Sequence, residues 1–322
     1  MFLNATKTLF NLIREINLKS IQDNAEVPVR LVVAGEAELA ARLASEFGEA
    51  PWVSTLASLS ERRSGDLLVR VSQDTSPSEP LPAGGLEVVL GGARPGLPDR
   101  VILPNLEPGT LQNILAPALM DKAPDALRLS LARHVPLLRE VYARTLIEQT
   151  SRTNAVYAAS TGVAEIVPLL SLPLNVADLV VLTKNQLLMA YKLALAEGKT
   201  GRPEELMKEI ISVVGGGFLF RQVARELVGL VPVWGIVPKI AVSYAGTWVI
   251  GQTVHLWAAK GETATLKEMR RYYAEALERG RKLAGDLASR VRSRGRRSNS
   301  KTETLEQLPP PTPLAEADEP GA

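Results

Sequence analysis

The longest uncharged run in the chain, IAVSYAGTWVIGQTVHLWAA at positions 240–259, lies between Lys239 and Lys260. Coiled as a helix at about 1.5 Å per residue, it measures about 30 Å, the thickness of a bilayer's hydrocarbon core. A helix without a charged face must bury itself, so the run has two fates: lipid, or enclosure by other helices. Ala241, Ala245 and Gly246 allow close helix approach in either setting. Gln252, Thr253 and His255 lie inside the run and weaken it as a lone span. Leu227–Val237, broken by Pro232 and closed by Pro238, precedes it, and the two segments read as an apolar hairpin. Hydropathy leaves an inserted and a buried hairpin both open.

The segment after the hairpin is basic. Between Arg279 and Lys301 stand nine Lys and Arg against one acid, Asp286. Beside an apolar segment this is the pattern of a cytoplasmic juxtamembrane stretch. The net charge of +2 therefore hides segregation: residues 1–22 carry +2, 23–150 carry −5, 151–260 carry +3, 261–301 carry +7 and 302–322 carry −5. Membrane lipid is accordingly the expected partner, at a bacterial cytoplasmic membrane with the basic and tail segments on the cytoplasmic side. No aromatic residue interleaves the arginines after Tyr273, so nucleic acid is not an expected partner. Residues 293–322, ending in an acidic stretch with PPPTP, read as a disordered tail.

Positions 153–183 contain only two charges, Glu165 and Asp178. Pro168 and Pro173 interrupt them, leaving a run too short to span a bilayer. Asn175 stands at a helix N-cap position, and Asp178 in the first turn suits the helix dipole. The helix that follows, about 176–197, ends at Gly198. It carries Asp178, Asn185 and Lys192 at intervals of seven, flanked by Lys184 and Gln186. This polar stripe reads as a solvated face or a partner-binding surface. Pro203, Glu204 and Glu205 open another helix that runs to Gly215–Gly217. In the helix after the three glycines, Arg221 and Arg225 share a face, as surface ion-pair donors or as an anion site. Asp178, Lys184, Asn185, Gln186, Lys192, Arg221 and Arg225 form the candidate interaction surface.

The first half has another texture. Residues 1–22 place Phe2, Leu9, Ile13 and Ile16 on one face of a basic amphipathic helix, which lies on a membrane or docks on the chain's own core. No signal peptide is read there. From Val27, short apolar runs at Val29–Ala34, Leu67–Val71, Leu86–Leu90 and Val101–Leu103 read as buried strands. Helical patterns at about 36–47 and 110–120 alternate with them, so residues 23–124 predict a small parallel α/β sheet. Residues 125–292 predict a mostly helical domain, with a helix pair interrupted at Pro136. The expected fold class is thus α/β plus α-helical.

The turn VRLVVAGEAELAARLASEFG runs from a strand through Gly35 into a helix, where nucleotide-binding folds seat phosphate. Against G-x-x-x-x-G-K-[ST], Gly35 matches, but Ala40, Ala41 and Arg42 replace the glycine, lysine and hydroxyl. The lysine that holds the β/γ-phosphates and the hydroxyl that ligates magnesium are both missing, and Glu36 and Glu38 add negative charge. This is either a degenerate P-loop or an ordinary βα turn. With no cysteine, thiolate and disulfide chemistry are excluded, and His134 and His255, 121 residues apart, give no spacing for a histidine-rich zinc site. The chain is expected to be non-enzymatic, with no cofactor and no metal.

Three blocks, LIEQTSRTNAVYAASTG, LPLNVADLVVLTKNQLLMAYKLALAEG and GGGFLFRQVARELVGLVPVWGIVPKIAVSYAGTWVIGQ, resemble in order the bacterial family of domain of unknown function 697. The resemblance covers about residues 125–260. It implies a helical domain associated with Era-like GTPases, often at membranes, and so a GTPase or a second copy of the chain as protein partner. It further implies that residues 27–124 are a reduced GTPase domain. QDTSP around Asp74 departs from D-x-x-G, and no [NT]-K-x-D segment is present, so GTPase activity does not follow. The expected function is a membrane-associated scaffold or regulator; the alternatives are a soluble helical interaction module or a residual nucleotide-binding protein.

Overall fold

The computed structural model describes residues 16–48, 51–56, 66–73, 84–91, 99–162, 176–215 and 236–306, with 63 and 81 singly. Five parallel strands form one sheet: β1 (Leu31–Gly35), β2 (Val53–Leu56), β3 (Leu67–Ser72), β4 (Leu86–Leu90) and β5 (Arg100–Leu103), in the order β2-β1-β3-β4-β5. Around it and beyond it, among the described residues, lie nine helices. They are α1 (Leu18–Ala25), α2 (Ala37–Phe47), α3 (Pro108–Thr110 and Ala116–Lys122, joined by a π turn over Leu111–Leu115) and α4 (Arg128–His134). Then come α5 (Arg139–Gly162), α6 (Val176–Ala196), α7 (Pro203–Gly215), α8 (Ile236–Lys260) and α9 (Leu266–Glu306). The expected mixed class, a small parallel sheet and a mostly helical remainder, is what the chain forms.

The strands read as apolar runs because both sheet faces are covered. Alternation sends Leu31, Val33, Val69, Val71 and Val88 to the helices and Val32, Ala34, Leu56 and Leu68 to a smaller cluster with Leu81. α2 buries Ala40, Leu43, Ala44 and Phe47, one helical face, against the first of these. The main core does not stop at the sheet but continues through α4 to α9. Trp52 stacks on His134 at 3.6 Å between ring centroids, and the Ser130 hydroxyl donates to the Val27 carbonyl. Ile16 and Leu18 are buried in this core, and α1 packs on α4, α6 and α7. The amphipathic segment therefore docks on the protein at its C-terminal end; Phe2, Leu9 and Ile13 lie outside the described residues.

β2 has no counterpart among the expected strands. VSTL is short and half-exposed, and what makes it a strand is its register beside β1, Leu31 to Val53 through Ala34 to Leu56. α6 ends with the N–H of Lys199 donating to the Ala194 carbonyl and that of Gly198, at φ +85°, to that of Leu195. This is a Schellman stop, and it explains the glycine.

α8 is the central helix, packed by α5, α6, α7 and α9. Ile240, Ala241, Tyr244, Ala245, Trp248, Val249 and Val254 are all buried. Among the described residues no helix is long and apolar enough to cross a membrane, so the spanning form of the hairpin is not seen there. The physical reason is the spacing of Ser243, Thr247, Gln252, Thr253 and His255, which lowers the apolar density all along α8. The first arm of the hairpin, up to residue 235, lies outside the described residues, as do Glu165, Pro168, Pro173 and Asn175. Of the small residues, Ala241 lies against Gly280 of α9, where an added Cβ would come within 2.7 Å of the Ala241 Cα. Gly251 plays the same part toward α5, where its Cβ would meet Ile147 at 2.7 Å.

Candidate functional site

Two places in this fold could host function: the carboxyl edge of the sheet and the polar stripe of α6. In an open parallel sheet, ligands enter at the carboxyl ends of strands where the strand order reverses. Here that point lies between β1 and β3, at Gly35 and Val71. Gly35 has φ +127°, and a Cβ on it would stand 2.0 Å from the Val71 carbonyl oxygen. The glycine is thus required by the close approach of the two strands, whether or not an anion ever bound there.

The next residue bridges the two strand ends. Glu36 stands at the N-cap of α2 but makes no cap bond with its side chain. Its Oε1 accepts instead from the backbone N–H of Gln73, just past β3, at 3.0 Å. This bond ties the start of α2 to the end of β3, and with Glu38 in the first turn it places two carboxylates where an anion would have to sit. Ala40, at the second P-loop glycine, is buried in the core, whereas Ala41 and Arg42, at the lysine and hydroxyl positions, are exposed. Among the described residues no group of three His, Asp or Glu could hold a metal.

The stripe of α6 divides. Asn185 and Gln186 turn inward to a hydrogen-bonded lattice that joins α5, α6 and α8. Asn185 Nδ2 donates to Asn154 Oδ1 at 2.8 Å, and Asn154 Nδ2 donates to Thr247 Oγ1 at 3.0 Å and to the Leu182 carbonyl at 3.3 Å. Gln186 Nε2 donates to Thr247 Oγ1 at 3.0 Å, and the Thr247 hydroxyl donates to the Ser243 carbonyl. The Ser243 hydroxyl closes the circuit on the Asn154 carbonyl at 3.1 Å. Asn154 and Thr247 are fully buried, and both amide protons of Asn154 are satisfied, so the lattice locks three helices in register. Lys184 and Lys192 are half-buried on α6. Asp178 falls in the first turn of α6, with its side chain outside the described residues, and Arg221 and Arg225 lie outside them altogether. Of the expected surface's members whose side chains are described, Asn185 and Gln186 meet in this lattice. Asn154, Ser243 and Thr247 were not singled out from the sequence; the four-residue spacing of Ser243 and Thr247 within an uncharged run was the available signal.

The remaining polar groups of the bundle are clamps. His255 Nε2 lies 3.0 Å from Glu197 Oε1 and 3.8 Å from Glu140 Oε2. The contact clamps the end of α8 to α6. Arg133 ties the end of α6 to the sheet side, donating to the Leu195 and Lys199 carbonyls at 2.7 and 3.0 Å and pairing with Glu26 at 2.8 Å. The Tyr244 hydroxyl donates to Glu148; burial and this carboxylate push its pKa well above the ordinary value. Tyr191 is pushed up to about 12 by burial and by nearby Glu204. Both phenols stay protonated at neutral pH and act as donors and packing groups.

No family model, no curated protein and no solved structure matches this chain.

Proposed function

We propose that the protein is a non-enzymatic interaction module: a packed helical bundle, carried on a parallel sheet whose ligand edge is bridged by Glu36, that gathers partners at a bacterial membrane without spanning it. The observation that supports it most is the enclosure of α8 by four helices around the Asn154–Thr247 lattice. A membrane hairpin exposes its apolar faces to lipid; α8 spends them on neighbours, and its polar residues bond within the bundle.

In this reading the three blocks resembling domain of unknown function 697 make up most of the bundle, since they fall on α5, α6 and α8. The sheet is the reduced counterpart of the GTPase domain that accompanies that family, kept as a platform. The protein partner is then a GTPase or a second copy of the chain.

Two measurements on the full chain test this. Titration with GTP and ATP analogues plus magnesium should give neither heat nor a thermal shift; saturable binding abolished by Gly35→Ala would overturn the non-enzymatic reading. Alkaline carbonate should release the protein from membranes, and complete retention in the pellet would overturn the packed bundle.

A further inference from the structure

Strand β2 is the outermost of the sheet and pairs with β1 on one side. It has four residues, the middle two at least partly open to solvent, and a short edge element of this kind opens more readily than the core. Trp52, just before it, supplies the anchor. Its carbonyl accepts from the Leu31 N–H at 2.8 Å, and its indole lies on the His134 imidazole with the two ring planes 17° apart. His134 is the last residue of α4, and Pro136 beyond it lies against the end of α2, where a Cβ on Gly48 would meet the proline ring at 3.5 Å. The stack therefore fastens the outer edge of the sheet to the helices.

The imidazole in that stack has one nitrogen in an unusual place. His134 Nε2 is shut off from solvent and has no hydrogen-bond partner among the described residues. A neutral ring can leave it a bare acceptor at modest cost, whereas a protonated ring puts an N–H and part of a unit charge there with nothing to receive them. The surroundings offer little relief. Burial opposes the charged ring most; Glu26 of α1 and the Ala25 backbone favour it, while Arg133 of its own helix and Arg139 of α5 oppose it, and the balance holds the pKa below the ordinary 6.5. Glu26 is already paired with Arg133 at 2.8 Å, and Arg139 is fixed on the Ala132 and Arg133 carbonyls at 3.4 and 3.1 Å. The end of α2 and the approach to β2 bring Gly48 and Trp52, which do not ionise. A cation over an indole face gains some attraction, but an N–H without an acceptor or water loses more.

We infer that the Trp52–His134 stack is a proton-operated latch: protonation of His134 lifts Trp52 off the ring, admits water to Nε2, and frees β2 and the end of α4 while the rest of the fold stays closed. The closed form holds the neutral ring, and the open form takes up its proton at the ordinary value. Closure is therefore complete above pH 6.5, and below it the closed-to-open ratio falls about tenfold for each pH unit, until the closed form itself is protonated. The latch acts on the sheet's outer edge and is independent of what the bundle binds.

With four tryptophans and two histidines in the chain, each ring can be followed by itself. The test is a pH titration of the full chain carrying 5-fluorotryptophan, with Trp52→Phe assigning the Trp52 fluorine signal and labelled histidine reporting the His134 ring. As pH falls, the Trp52 signal should move together with the His134 titration, while that of Trp248, buried in α8, stays in place. Amide exchange in β2, read against His134→Gln at each pH, should rise about tenfold from about pH 7.5 to about pH 5.5. His255→Gln should keep both responses. Should His134→Gln not fold, His134→Phe takes its place, since it keeps a stacked ring and accepts no proton. A Trp52 signal that moves only together with Trp248 would mean global unfolding and would overturn the latch. So would an exchange ratio that stays flat, or a Trp52 response that persists without His134 or disappears without His255.

Discussion

The sheet and the bundle solve one problem, holding three adjacent elements in register through buried polar groups, with opposite chemistry. In the sheet, Arg70 of β3, Glu87 of β4 and Arg100 of β5 stand in one row of the register on the second sheet face. Glu87 takes Arg70 at 2.9 Å on one oxygen and Arg100 at 2.6 Å on the other, and all three side chains are largely buried. In the bundle, the equivalent row is neutral: Asn154, Asn185, Gln186 and Thr247. Arginine's long stem lets a charge be paired close to a sheet face while its methylenes pack. Asn154 and Thr247 are fully buried between α5, α6 and α8, where an isolated charge would cost far more than an amide. The difference teaches that the charged row is the more brittle: losing its centre strands two cations, whereas losing an amide strands dipoles.

The largest expected effect is therefore on the charged row. Glu87→Ala leaves Arg70 and Arg100 without their shared carboxylate and should cost about 3–5 kcal/mol in denaturant unfolding. A loss no greater than that from an exposed ion pair would break the comparison. Next is Gly35→Ala at the edge of the same sheet, where the positive φ and the Val71 carbonyl both resist a side chain. It should cost about 3 kcal/mol by the same measurement, with or without nucleotide. Asn154→Ala should cost about 2 kcal/mol, because Thr247 keeps its bonds to Gln186 and the Ser243 carbonyl while half-buried Asn185 loses its bond to Asn154. Its signature should be faster amide exchange in α5, α6 and α8 with the sheet unchanged, and spread to the sheet would show that the two halves share one register.

The smallest effect concerns the joint between the two halves. Burial against Trp52 holds the His134 pKa below its ordinary value, so the folded protein keeps the ring neutral. As pH falls below 6.5 the unfolded chain takes up a proton before the folded one does, and stability falls with it. His134→Asn should flatten this slope between neutral and mildly acidic pH while leaving the slope due to carboxylates; an unchanged slope would show that the joint does not sense pH.

How much was legible in the sequence depends on how local each signal is. Strands β1, β3, β4 and β5 could be read because their apolar runs are broken by turn residues, and the α6 stop could be read from Gly198. β2 could not, since VSTL has no pattern of its own and is fixed by pairing with β1. The stripe at 178, 185 and 192 was visible as periodicity, but periodicity does not say whether a polar residue faces water or another amide. The glycine at 35 was visible as a phosphate-loop fragment, and its other reason, the Val71 carbonyl, lies 36 positions away in sequence.

By itself, then, the sequence determined β1, β3, β4 and β5 and the helical run that follows them, the loss of the lysine and hydroxyl from the Gly35 loop, and the segregation of charge into a basic arm and an acidic tail, because each of these depends on neighbours in the chain. Only the tertiary structure decided that Glu36 takes the Gln73 N–H, that Asn185 and Gln186 face inward onto Asn154 and Thr247, and that α8 is enclosed. Those outcomes depend on which distant surfaces meet. An uncharged helix must be buried, and nothing within its own residues specifies what buries it.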